Sequence, residues 1–349
     1  MTMAKKRKVR LVKSYQKVRL VKFYHPGTEH CPGKNCKPVA HVGWNRGPHH
    51  RKFIQTSGSY VDGNNKEKHS KTLLFWGEWE PDSMLLACYK NGPARYLYEP
   101  WLLVSSCLPQ PSSGKVVAQC GKLPKNLCSV GGHYQNTDPF VFADNFYYSL
   151  CKQRSYKELR CLPPGCVILF GSYKRLANGQ DAFALDTVFV VEESRLFKKD
   201  NYAKKLNGFV PGDYFNIMRY KTNADNGKYV CYKGVAFDKD KPDEMFSFVP
   251  CRERDEQIRN EGKVPFERLL ITKADGINEL KEFSQRQGVC YASYDALKAK
   301  EVWQKIRDLT IKKGYKLGIR FVYKKSNNLT QLTQTNPNSC FAFCPSSRH

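Results

Sequence analysis

Acidic charge is scarce in this 349-residue sequence. Asp and Glu number 32 against 58 Lys and Arg, a formal net charge of +26. Such an excess is either solvated or matched by a polyanion. Nucleic acid is the commonest such partner, because neutralising phosphates releases counterions. The alternative is a generally basic protein from a lysine-rich proteome. Long apolar runs are absent too: no stretch of eighteen apolar residues occurs, so no helix is expected to span a membrane. The basic N-terminus lacks the apolar stretch and small-residue cleavage site of a signal peptide. The 14 cysteines are scattered, without the even framework of a small secreted domain. A cytoplasmic protein with reduced thiols is therefore expected. There is no P-loop, Rossmann glycine fingerprint, nucleophile elbow or HExxH motif. The zinc deaminase pattern H-x-E…P-C-x-x-C is also missing, which removes the easily recognised enzyme classes.

Apolar residues make up 41% and aromatic residues 13%, enough for a sizeable core. Near-identical octapeptides open the chain, KVRLVKSY at 8–15 and KVRLVKFY at 17–24. The second alternates as a strand. The first falls in a basic arm, residues 1–16, suited to lie on phosphates, and its KKRKV also fits a nuclear-import pattern. Residues 25–72 are rich in Gly, Pro, Asn and His and read as loop. Residues 73–104 turn apolar and aromatic, and LPQPSSGK at 108–115 reads as a surface loop. CVILF at 166–170 and FALDTVFVV at 183–191 read as strands around an Asn-Gly hairpin, and NIMRY and KYVCYKGVAF as two more. Residues 253–261 are charged and helical in pattern. A longer helix is expected over 293–313, capped by Ser293, with Leu297, Val302, Trp303, Ile306 and Leu309 as its apolar stripe and Gly314 as its stop. In YKLGIRFVYK, Tyr315 to Lys324, apolar and basic residues alternate. The expectation is one large α+β domain over 17–324, strand-rich with peripheral helices, followed by a polar tail over 325–349.

Four constellations can carry chemistry. Cys31, Cys36 and His41, with His25 or His30, have a workable reach for zinc, although no C-x2-C pair anchors them. The alternative is a polar loop with solvent-facing imidazoles. GPHHRKF places His49, His50 and Arg51 after a Gly-Pro turn, a donor set suited to phosphate or a basic surface loop. In WGEWEPDS, Glu78 and Glu80 alternate with Trp76 and Trp79. A carboxylate on an aromatic floor suits the exocyclic amines of a base, and desolvation there would raise its pKa. Both indoles can equally be core. Finally, TDPFVFADNFYYSLCKQ, residues 137–153, concentrates Phe and Tyr around Asp138 and Asp144. Phe140 and Phe142 are expected to pack inside, and Tyr147, Tyr148 and Gln153 to face a ligand. A Gln amide can read a base edge in bidentate fashion.

Residues 162–170, LPPGCVILF, with ALDTVFVV at 184–191, resemble the core of PUA-like domains and their EVE and ASCH relatives. Those are small barrels that bind RNA or modified bases, and the resemblance places such a core at about 130–195. Cys166 stands where that family usually has Asp. With WGEWEP upstream, the block is also similar to nucleotide-modification-associated domains of bacterial and phage gene neighbourhoods, which implies a role near modified nucleotides, in defence or DNA modification.

Three functions remain open on these grounds. The first expectation is a nucleic-acid or modified-nucleotide binding protein with an aromatic pocket, its backbone contacts supplied by Lys316, Arg320 and Lys324. The second is an enzyme on nucleotides or nucleic acid, with Glu78, Glu80, Asp138 and Asp186 as candidate acids or bases. The third is a protein-interaction factor. No cofactor is required by the sequence, zinc at Cys31, Cys36 and His41 being the one candidate.

Overall fold

In a computed structural model of the chain, the described residues are 18–32, 40–43, 45, 49–89, 95–103, 137–198, 201–217, 227–254, 267–280, 282–283 and 288–326. The basic arm, Cys36, LPQPSSGK, residues 255–261 and the tail beyond 326 lie outside them.

The first strand, β1 (Val18–Tyr24), is the second copy of the octapeptide. It pairs antiparallel with β13 (Gly288–Tyr294) and parallel with β8 (Val167–Arg175). A strand flanked on both edges, with layers above and below, is buried on both faces, and only Arg19 of its seven residues is half-exposed. β8 turns through Asn178-Gly179 into β9 (Asp181–Lys198), the hairpin expected from composition. β9 also pairs with β10 (Lys228–Gly234) and β12 (Leu269–Thr272), and β10 pairs with the short β7 (Tyr147–Tyr148). Gly171 sits where the β8–β9 register slips by a residue. A Cβ there would come within 2.4 Å of the Ala184 carbonyl oxygen, so only glycine allows the strands to close.

The second sheet contains β2 (Ala40–Val42), β3 (Lys52–Val61), β4 (Glu67–Gly77), β5 (Ser83–Cys88), β6 (Tyr96–Leu103), β11 (Val249–Glu253), β14 (Lys316–Phe321) and β15 (Lys324–Ser326). Its order runs β14-β11-β4-β3-β6-β5-β2. β14 pairs with β3 as well, so β3, β4, β11 and β14 form a closed ring of pairings. Parallel and antiparallel neighbours occur in both sheets, and the fold is mixed and strand-rich with few helices. No helix among the described residues is long and apolar enough to cross a membrane.

Several elements differ from the sequence expectation. Residues 25–72 contain β2, β3 and most of β4 rather than loop alone. The pattern is masked because β3 buries polar side chains that bond neighbouring chain: Lys52 Nζ donates to Ser83 Oγ at 2.9 Å, and Thr56 Oγ1 to the Val322 carbonyl. Glu253 ends a strand rather than starting a helix. The long helix is Ala296–Lys312, capped by Asp295, whose side chain accepts from Lys298 N at 2.8 Å. Ser293 belongs to β13, and Leu297 is 78% exposed, outside the apolar stripe. Gly314, at φ +80°, stops the helix as expected. Asn216 and Ile217 lie in a short helix, Tyr214–Ile217. β14 ends at Phe321, and Lys325 and Ser326, expected in the tail, pair with β6 in β15.

Two apolar clusters each draw on both sheets. One gathers Phe23 and Phe170 with Phe75, Phe140, Phe142 and Phe321. The other gathers Leu185 and Val188 with Leu74, Leu97 and the long helix's Val302, Trp303 and Ile306.

Candidate active site

The register of β3 against β4 builds the site. Lys52 pairs with Gly77. Extending the same antiparallel register past the strand ends sets Arg51 opposite Glu78 and His49 opposite Glu80. Alternation aims all four side chains to one side. Arg51 Nη1 donates to Glu78 Oε2 at 2.5 Å, and His49 Nδ1 lies 2.9 Å from Glu80 Oε1 and 3.2 Å from Glu78 Oε1. Trp79 faces away. It packs on Phe142 at 4.5 Å and donates its indole N–H to the Asp82 carbonyl at 2.8 Å. The alternation of Glu78, Trp79 and Glu80 thus sends the carboxylates one way and this indole the other.

The other sheet contributes the far wall. Arg51 Nε donates to Asp186 Oδ2 on β9 at 2.8 Å, and Arg268 donates to both oxygens of Asp186 at 2.7 Å. His25, directly after β1, accepts from Arg51 Nη2 at Nδ1 and faces Cys151 Sγ with Nε2 at 3.3 Å. Asp138 gathers the backbone N–H groups of Ser149, Leu150 and Cys151 and so fixes the turn that carries the thiol.

Burial and charge push these groups in different directions. On His49 burial opposes protonation, but Glu78 and Glu80 outweigh it and hold its pKa well above the ordinary range. On Glu78 burial is likewise outweighed, by His49, His25 and Arg51, which hold the carboxyl at about 2. Burial raises Glu80 against its hydrogen bond from His49. Burial raises Asp138 to about 7 against its three backbone donors. His25 is driven far down by burial and by Arg51. Arg51 stays charged, since Asp186 and Glu78 outweigh its burial.

His25 stands between Cys151 and Glu78, its Nε2 3.3 Å from Cys151 Sγ and its Nδ1 3.4 Å from Glu78 Oε2, the spacing of a thiol relay. What opposes a relay is burial, which with Arg51 disfavours protonation of His25 and, with the charges of Glu78 and Asp138, raises the thiol pKa well above its ordinary value.

Glu78, Glu80, His49, Arg51 and Asp186, read from three separate stretches, meet in this one cluster, whereas Asp138 spends both carboxylate oxygens on backbone N–H groups of the turn that carries Cys151. Sequence reasoning did not place Cys151 or Arg268 in that cluster, and had His25 as a zinc candidate. His50 instead bonds Thr28 Oγ1 through Nδ1 at 2.6 Å. The aromatic ligand candidates are spent on the core. Trp76 and Tyr147 are buried, and Tyr148 stacks on Tyr232 and donates to the Cys151 carbonyl at 2.8 Å. The amide of Gln153 clamps Val230, donating to its carbonyl at 2.7 Å and accepting its N–H at 2.9 Å. Its amide is thereby committed to the backbone of a neighbouring strand and is fully buried. Of the basic residues, Arg320 pairs with Asp144, Lys324 with Glu99 at 2.8 Å, and Lys316 lies over the Tyr60 ring. Cys31 is exposed with Sγ 3.8 Å from the Tyr96 hydroxyl, whereas His41 Nε2 pairs with Asp82 Oδ1 at 2.9 Å. Among the described residues these two do not join a ligand set; His49, Glu78 and Glu80 do.

Two oxygens in the cluster, Glu78 Oε1 and Glu80 Oε2, are buried without a hydrogen bond among the described residues. No protein-family model, curated protein or solved structure matches the chain.

Proposed function

We propose that this protein is an enzyme acting on nucleotides or nucleic acid, with Glu78, Glu80 and His49 as its reacting centre. The carrying observation is the pair of unbonded carboxylate oxygens inside a buried cluster of acids, imidazoles and guanidinium groups. A buried acceptor without a donor is costly, and a fold gains nothing from two of them side by side. Such an arrangement suits a donor that arrives from outside: a water, a hydroxyl, an amino group or a cation. His49 keeps 18% of its side chain in solvent and marks the open edge. Arg51, locked between Glu78 and Asp186, holds the acids in place. The substrate class comes from the net charge of +26, which favours a phosphate-bearing partner.

The same unpaired acceptors favour a second reading, a binding protein that takes the exocyclic amine of a base without turning it over. Turnover separates the two. The chain is incubated with nucleoside mono- and triphosphates and with single- and double-stranded DNA and RNA, and products are read by mass spectrometry. Conversion by the wild type that is lost in Glu78→Gln and Glu80→Gln supports the enzyme. Retention of a ligand without conversion supports the binding protein. Neither conversion nor retention at physiological salt would sink both readings in favour of an interaction factor.

A further inference from the structure

We propose that His49, Glu78 and Glu80 hold one divalent cation of the Mn2+, Fe2+ or Zn2+ kind. The purpose of that cation rests on the enzyme reading above, but its presence does not.

The spacing is that of ligands on one ion. Two donors at right angles on bonds of ~2.1 Å are ~3.0 Å apart. His49 Nδ1 lies 2.9 Å from Glu80 Oε1 and 3.2 Å from Glu78 Oε1. Hydrogen bonding alone gives similar distances, so spacing does not decide the matter.

The independent sign is the unmet demand of the carboxylates. Glu78 is 4% exposed and Glu80 fully buried, yet among the described residues Glu78 Oε1 and Glu80 Oε2 have no hydrogen bond. His49 Nδ1 faces two carboxylates at once, 2.9 Å from Glu80 Oε1 and 3.2 Å from Glu78 Oε1. One proton is shared between two acids. A cation replacing that proton meets both carboxylates at once, and the proton is released.

The surroundings fit a metal centre. Glu78 Oε2 is held by Arg51, and Arg51 by Asp186, a chain of outer contacts that orients the ligand. The Glu80 backbone N–H donates to Thr137 Oγ1 at 3.1 Å. The partly exposed His49 gives the ion a way in. One imidazole nitrogen with carboxylate oxygens suits first-row divalent ions rather than a thiolate-seeking metal. Three protein ligands leave positions for water and for a substrate phosphate.

The test uses the full chain, stripped with EDTA, exchanged into metal-free buffer and titrated with MnCl2 without nucleotide. Loss of the free Mn2+ signal in EPR counts the ions bound. One Mn2+ per chain is expected, with at least about tenfold weaker binding in Glu80→Gln and His49→Gln. Cys31→Ser and His41→Ala should bind like the wild type. Pulsed EPR of the wild-type complex should show one directly coordinated imidazole nitrogen, a readout that stands even if a variant fails to fold. Absence of stoichiometric binding, absence of that nitrogen, or binding that survives at His49 and Glu80 but is lost at Cys31 or His41 would overturn the site. Turnover of a nucleotide by chain that binds no Mn2+ would remove the site and keep the enzyme. A bound ion with no turnover would do the reverse.

Discussion

Arg51 Nε donates to Asp186 Oδ2 at 2.8 Å and ties the start of β3 to the middle of β9. The two strands belong to different sheets. Asp186 also receives Arg268, so one carboxylate bridges two guanidinium groups in a buried place, Arg51 having Glu78 as its second partner. Removing it leaves both charges without that partner. Breaking a buried ion pair from one side costs about 3–5 kcal/mol. Asp186→Ala is therefore expected to lose stability of that order in urea unfolding. Lys174→Ala, which breaks an exposed pair with Glu267, should move it by less than about 1 kcal/mol. Equal effects at the two positions would show that Asp186 is not the junction.

His30 gives the fold a pH dependence of known sign. It is buried, with Nδ1 3.1 Å from the Tyr98 hydroxyl and its carbonyl accepting from that hydroxyl at 3.0 Å. Burial, then Lys52 and His50, push its pKa down to about 2. The unfolded chain holds a proton on this imidazole below its ordinary value of 6.5, and the folded chain does not. Stability is thus lost as pH falls below about 6.5, by about 1.4 kcal/mol per pH unit from this group. His30→Gln should unfold with a shallower pH dependence between pH 4.5 and 6.5, the difference amounting to about one proton. Parallel curves for variant and wild type would refute the assignment.

Gln153 separates a clamp from a ligand contact. Its amide satisfies both backbone groups of Val230 in β10, as a neighbouring strand would. Gln153→Ala should cost about 2–3 kcal/mol, because two buried backbone groups lose their partner. A ligand contact would show the opposite pattern: unchanged melting and weakened retention of nucleotide.

Much of the site was legible because it follows the strand period. Glu78 and Glu80 alternate with Trp79, and the structure sends the acids one way and the indole the other. The basic HHR run was visible as well, but not its direction: Arg51 lies inside, since the β3–β4 register sets it against Glu78. Registers between strands are tertiary facts that a local pattern does not carry. The same holds for His25, Cys151 and Arg268, which arrive from three distant parts of the chain. The density of rings in residues 137–153 suggested a pocket wall, but in the fold that segment bonds to itself. Phe140 and Tyr147 exchange backbone hydrogen bonds at 2.7 and 2.8 Å, and Asp138 caps the following turn. Strand β3 was missed for a different reason. Its buried Lys52, Thr56 and Ser59 lower its hydropathy, and only the folded chain supplies their partners.

Burial predicts an inert thiol at Cys151. Cys151 lies 3.3 Å from His25 Nε2, but burial and Arg51 hold the pKa of that imidazole far below its ordinary value. Burial, then the charges of Glu78 and Asp138, push the thiol pKa well above its ordinary value. The thiolate is the reactive form, so its population near neutral pH is small. Iodoacetamide at pH 7.5 should label the exposed Cys31, Cys161 and Cys290 first, and Cys151 more than about tenfold more slowly. Cys151→Ala should keep whatever turnover the wild type has. Fast labelling of Cys151, together with loss of turnover in that variant, would instead mean that the thiolate is populated beside His25. The reacting centre would then move from Glu78 and Glu80 to the sulfur.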